Sequence, residues 1–243
     1  MLNIIKSNWL RTKRDPIRWV LFLAPILYSL LFSIYVYGPN SITGFEVYGF
    51  YIGLAILSTF SLSFFVPMAY EADRKASYYL NDIRFDISRR KAFIGKFLLI
   101  SILYALIILI ASLIFLSFWI LTKNQPVNFI EIITIVAILF FTLLPLIAIY
   151  QAINLKFGQT GSILAGVFIT LAAILLGTTG LGALIWKYLP FVWPIKLLYL
   201  LAQANISLKI SWIYIGLSLA TIICLYLTSS FFKNWDVYQK MED

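Results

Sequence analysis

Long apolar runs separated by short polar stretches outline this chain. Six segments hold the roughly 20 apolar residues that cross about 30 Å of hydrocarbon at about 1.5 Å rise per residue. They are Ile17–Tyr37, Val47–Tyr70, Phe97–Leu121, Ile132–Ile153, Gly161–Trp186 and Ile210–Phe232. The pattern predicts an all-α integral membrane protein with six transmembrane helices, a single domain over residues 1–243. The far end of the fifth segment is open. Gly177, Gly180 and Gly182 weaken a helix there, so a helix over 161–182 followed by a separate short helix fits as well as one continuous span.

The connecting stretches have patterns of their own. In residues 1–15, Leu2, Ile5 and Trp9 recur at helical spacing while Lys6, Arg11, Lys13 and Arg14 are polar. That is an amphipathic helix lying on the inner leaflet, ended by Asp15 before Pro16. The basic start lacks a cleavage site after a short apolar core and is expected to be retained. Residues 71–96 form the longest charged stretch, with seven of the nineteen Lys and Arg residues. Within it Tyr78, Tyr79, Ile83 and Ile87 can share one helical side, with Arg74, Lys75, Asp82 and Asp86 around it. Asp86 and Ser88 are both good N-caps for a helix running through Arg89 into the third span. A short amphipathic helix hung below the membrane is expected to dock a soluble partner; a solvated loop is the plainer alternative. Residues 187–209 are apolar and aromatic but broken by Pro190 and Pro194. They fit a re-entrant helix pair or an interfacial segment with Trp193 at headgroup level.

Lys and Arg placement gives the orientation. Fifteen of nineteen fall on the side that carries the N-terminus, residues 71–96, Lys156 and the C-terminal tail; Lys123, Lys187, Lys196 and Lys209 fall on the other. The positive-inside rule then puts both termini in the cytoplasm.

Composition agrees: the chain is 62% hydrophobic and only 12% charged. A soluble domain carries about twice that charge. The net charge of +9 sits beside the spans, where it orients the chain and meets anionic lipid, so it does not point to nucleic acid. There is no histidine, which excludes His-based metal sites and Ser-His-Asp or Cys-His nucleophiles. Cys224 is the one cysteine and reads as a small apolar side chain. The cores of the spans hold no Asp, Glu, Lys or Arg. Ion-coupled transport and intramembrane catalysis are therefore disfavoured. Ser58, Thr59, Ser61, Ser63, Thr170, Thr178 and Thr179, the pair Gly49 and Gly53, and Pro25, Pro67 and Pro145 read first as helix-packing features.

On these residues the chain resembles the permease subunits of ABC-2-type ATP-binding-cassette exporters. Glu71 at the end of the second span, Arg74 and Lys75 in a basic turn, and Leu80 in an amphipathic helix match that layout. So do the Ser88–Arg89 step and Lys96 at the opening of the third span. The chain departs from it at Ala76 and Ser77, where a glycine is frequent, and at Ile87, where a proline is common. In length, in the loop Leu189–Ile195 and in the tail step Trp235–Asp236 it is similar to permeases of lantibiotic immunity exporters.

The resemblance implies a non-catalytic permease in a bacterial cell membrane. Glu71, Arg74, Lys75, Tyr79, Asp82, Ser88, Arg89 and Lys96 would couple it to an ABC ATPase subunit. Pro190, Trp193 and Pro194 would contribute to an external gate. No GxxxxGK[ST] loop is present, so ATP and magnesium would belong to the partner, with no cofactor in this chain. A second permease subunit, identical or related, would complete the path for a cationic amphipathic peptide. Lipid, glycan or drug cargo, and a scaffold or sensor without transport, are the alternatives.

Overall fold

The computed structural model describes residues 9, 17–38, 44–75, 89–123, 128–203 and 210–233. Among these residues, α-helices run in the order α1 Ile17–Tyr37, α2 Glu46–Lys75, α3 Arg89–Lys123, α4 Phe129–Thr178, α5 Trp193–Ala202 and α6 Ile210–Lys233. Two single 3-10 turns, Gly180–Gly182 and Trp186–Tyr188, lie between α4 and α5. Five of the helices, α1 to α4 and α6, are long and apolar enough to cross a membrane. Pro25, Pro67 and Pro145 each sit inside a helix that continues past them. Residues 76–88, the expected docking helix, lie outside the described residues, as does the N-terminal segment apart from Trp9.

The sequence pattern puts two spans, 132–153 and 161–186, where the structure has the single 50-residue element α4. Its helical geometry breaks at Gly158, with φ 72° and ψ −167°. An unbroken helix of that length would reach about 75 Å, more than twice the hydrocarbon thickness. The two arms instead fold back on each other. Along the first arm Glu131 meets Tyr48 and Gln151 meets Tyr70, whereas Ser162 on the second arm returns to Ser63, in the reverse direction along α2. The second arm ends at Thr178, short of Trp186. Thr179 turns the chain, its side chain accepting from the Leu181 amide at 3.3 Å.

The core lies where α2 packs on α4, with α3 and α5 completing it. Phe50 and Phe115 stack at 4.0 Å, and Tyr28, Phe32 and Trp119 surround them, locking α1 and α2 to α3. The apolar windows of α2, α3 and α4 are half-buried or more, whereas those of α1 and α6 are only 28% and 17% buried. Those two helices turn Leu, Ile and aromatic side chains outward, as lipid-facing helices do.

Contacts between distant positions define two ends. Tyr48 donates to Glu131, and the Tyr214 hydroxyl to the Thr134 carbonyl, at one end. Lys96 meets Ala69, Gln151 meets Tyr70 and Arg90 meets Ser229 at the other.

Candidate functional site

The end that carries the basic cluster is built on the last turns of α2 and the first turns of α3. Tyr70 is buried there and Glu71 is half-buried. Lys96 lies one to two turns into α3 and is only 3% exposed, so its ammonium must find partners inside the protein. Its Nζ donates to the Ala69 carbonyl at 2.7 Å and lies 5.4 Å from the centroid of the Tyr70 ring. Gln151, fully buried on the first arm of α4, donates Nε2 to the Tyr70 hydroxyl at 2.9 Å. The turn Ala69–Tyr70–Glu71 therefore joins three helices. It lies within two turns of the Gly158 break on the α4 side.

Arg90 makes a second junction. Its Nε donates to Ser229 Oγ at 3.3 Å and its Nη2 to Ser230 Oγ at 3.2 Å, while the guanidinium lies 5.2 Å from the Tyr226 ring. The start of α3 is thereby tied to the end of α6. On the N-terminal side, Arg18 Nη2 donates to the Trp9 carbonyl at 2.9 Å and its guanidinium stacks 4.1 Å over the Trp9 ring.

Of the coupling residues expected from the sequence, Glu71 and Lys96 are brought to the same turn. Arg74 and Lys75 fall in the last turn of α2 and Arg89 opens α3, so their backbones flank the stretch 76–88. Tyr79, Asp82 and Ser88 lie outside the described residues. Sequence reasoning missed Tyr70, Arg90 and Gln151. Gln151 had a signal: it is an amide between Tyr150 and Ala152 in an otherwise apolar run.

At the opposite end, Pro190, Trp193 and Pro194 form one compact unit. The Trp193 indole donates to the carbonyls of Trp186 at 3.0 Å and Lys187 at 3.2 Å, closing the turn that Pro190 shapes. Pro194 occupies the first turn of α5, where its missing N–H costs nothing. Helix α5 buries Pro194, Ile195, Leu197 and Leu198. At ten residues, about 15 Å, it is too short to cross. It packs on α4 and α2.

Small residues let the helices between the two ends approach closely. A Cβ at Gly53 would lie 2.5 Å from the Tyr28 hydroxyl, and one at Gly166 would lie 2.2 Å from Ser63 Cβ. Most span hydroxyls satisfy themselves on their own helix, as Thr59 does on Ala55 and Ser63 on Phe60. Others cross between helices: Ser162 donates to the Ser63 carbonyl at 3.1 Å, and Ser61 pairs with Tyr104 at 2.7 Å. Among the described residues no group of three or more His, Cys, Asp or Glu is placed to hold a metal. No protein-family model matches the chain, and no curated protein or solved structure matches it.

Proposed function

We propose that this chain is the membrane-spanning permease subunit of an ATP-driven exporter of the ABC-2 type. Its cargo is a lantibiotic or another cationic amphipathic peptide, taken from a bacterial cell membrane and expelled outward as a means of immunity. In this reading each arm of α4 counts as a span, which makes six, and both termini are cytoplasmic. ATP and magnesium are bound by a separate ABC ATPase, and a second permease subunit, identical or related, completes the path.

The observation that carries the reading is the Lys96 junction. Residues 76–88 join α2 to α3, and Lys96 pins the two helices together just inside the membrane from that connection. A partner pushing on the connection would move α2 and α3 as one body. Through Tyr70 and Gln151 it would also load the first arm of α4 next to its break. The charge-poor bundle interior suits an apolar-faced peptide better than an ion.

The test is purification of the intact chain from its own membranes, with a sensitivity assay on cells that lack it. The proposal expects an ATP-hydrolysing subunit to co-purify, and the cells to become more sensitive to a cationic amphipathic peptide. A chain that purifies without an ATPase, from cells whose peptide sensitivity does not depend on it, contradicts the proposal.

A further inference from the structure

One corner of the charged end combines cations, hydroxyls and an outward apolar stripe. Arg90 reaches from the first turn of α3 to the end of α6, where it donates to Ser229 Oγ at 3.3 Å and to Ser230 Oγ at 3.2 Å. Those contacts use two of the five N–H donors of a guanidinium. Ser229 is buried and donates its own hydroxyl proton to the Tyr226 carbonyl at 3.2 Å. Ser230 is half-buried; it accepts from Arg90, and its O–H can donate outward. Lys91, the next residue along α3, is exposed, and the first turn of α3 carries no acid. Residues 226–233 of α6 hold no acid either and end in Lys233. Positive charge is thus concentrated here with nothing of opposite sign on either helix end, and the N-terminal end of the α3 dipole adds to it.

We propose that this corner binds the phosphate of an anionic phospholipid, with an acyl chain of the lipid lying along α6. The phosphate would accept from Arg90, from the Ser230 hydroxyl and from the Lys91 ammonium. The stripe is what selects a lipid. Leu219, Ile222 and Tyr226 recur at a spacing of three and four on α6, so they share one face, and each is more than half exposed. The stripe leads directly to the corner, because the Arg90 guanidinium lies 5.2 Å from the Tyr226 ring. An anionic head at the end of an apolar stripe is the layout of a phospholipid, and basic pockets between membrane helices hold such headgroups. A zwitterionic lipid fits less well, because its own cation would face Lys91. A free phosphate makes no use of the stripe. The apolar window of α6 is only 17% buried, so a lipid held by both α3 and α6 would fasten the least packed span to the bundle, independently of the cargo.

The test is the thermal midpoint of the purified full chain in neutral detergent, with phosphatidylglycerol or phosphatidylcholine added. At about ten times its dissociation constant, phosphatidylglycerol is expected to raise the midpoint by roughly 3–6 °C, and phosphatidylcholine by much less. Arg90→Gln should lose most of that difference between the lipids, and Lys91→Gln part of it. Lys156→Gln removes an exposed cation beside the α4 break and should keep the difference. Comparing the two lipids on one variant cancels any loosening of the α3–α6 contact. If Arg90→Gln is too unstable to purify, Lys91→Gln decides. A midpoint that rises equally with both lipids overturns the proposal, as does a difference that survives intact in the Arg90 and Lys91 variants. An equal loss in Lys156→Gln also overturns it, since it would mean diffuse attraction to a basic chain. Glycerol 3-phosphate at the same concentration is expected to leave the midpoint unchanged; a shift as large as the lipid's would overturn the lipid assignment in favour of a free-phosphate site.

Discussion

At the scale of single residues, close approach decides which side chains are tolerated. Gly49 and Gly53 carry the small-residue spacing that the sequence reading assigned to helix packing, and α1 uses both. The Phe32 ring lies 3.5 Å from where a Gly49 Cβ would be, and the Tyr28 hydroxyl 2.5 Å from that of Gly53. That hydroxyl cannot simply swing away, because it donates to the Phe50 carbonyl at 2.7 Å. Gly53→Ala should therefore destabilise the purified chain by roughly 1–3 kcal/mol, as overpacking does. In a Tyr28→Phe background the nearest ring atom is at 3.5 Å, an ordinary contact, so most of that penalty should vanish. A double-mutant cycle on thermal midpoints measures the coupling. Equal penalties in both backgrounds would show that the Tyr28 hydroxyl is not what Gly53 makes room for.

At the scale of elements, the break in α4 is a backbone matter. Gly158 has φ 72° and ψ −167°, a region that only glycine enters without strain. A Cβ there meets nothing within 4 Å, so a substitution is penalised by the backbone alone. Gly158→Ala should cost about 1–3 kcal/mol in a thermal or denaturant melt. Gly216→Ala, equally open but at an ordinary helical φ in α6, should be stabilising by roughly 0.5–1 kcal/mol. A neutral Gly158→Ala would mean that the arms are not held at this angle by residue 158. The elements themselves were largely legible. Hydropathy located α1 without error and α6 to within one residue, but α2 runs on to Lys75 past the expected end at Tyr70, and α3 begins at Arg89, well before the expected start at Phe97. It also placed the interruption between 153 and 161, because Lys156, Gln159 and Thr160 interrupt an apolar run. It did not show that the interruption is a single broken residue within one element. Nor did it reveal the Gln151–Tyr70 and Arg90–Ser229 contacts. These join positions 81 and 139 residues apart, and periodicity along one helix does not say which helix lies beside it. Of the residues expected at the coupling end, Lys96 was read as a charge opening a span. Its burial against Ala69 follows from the packing of α3 on α2, which a linear pattern does not encode.

At the scale of the whole molecule, two junctions anchor the charged end. Lys96, Tyr70 and Gln151 join α2, α3 and α4, and Arg90 joins α3 to α6. At the opposite end, the Trp193 turn leads into helix α5, which packs on α4 and α2. The ends of α2 and α3 that flank residues 76–88 are thus tied to α4 and α6, the anchorage that the proposed coupling to a motor would use. The most direct test of the proposed function is ATP-driven peptide export by the chain reconstituted with the ATPase that the proposal assigns to it, comparing the parent with Glu71→Ala and Arg89→Ala. The account predicts that both variants insert, retain the ATPase and hydrolyse ATP, while export falls about five- to a hundredfold, the range of a lost coupling free energy. Export at the parental rate in both variants would contradict it, and would leave residues 71–96 as a loop that only orients the chain.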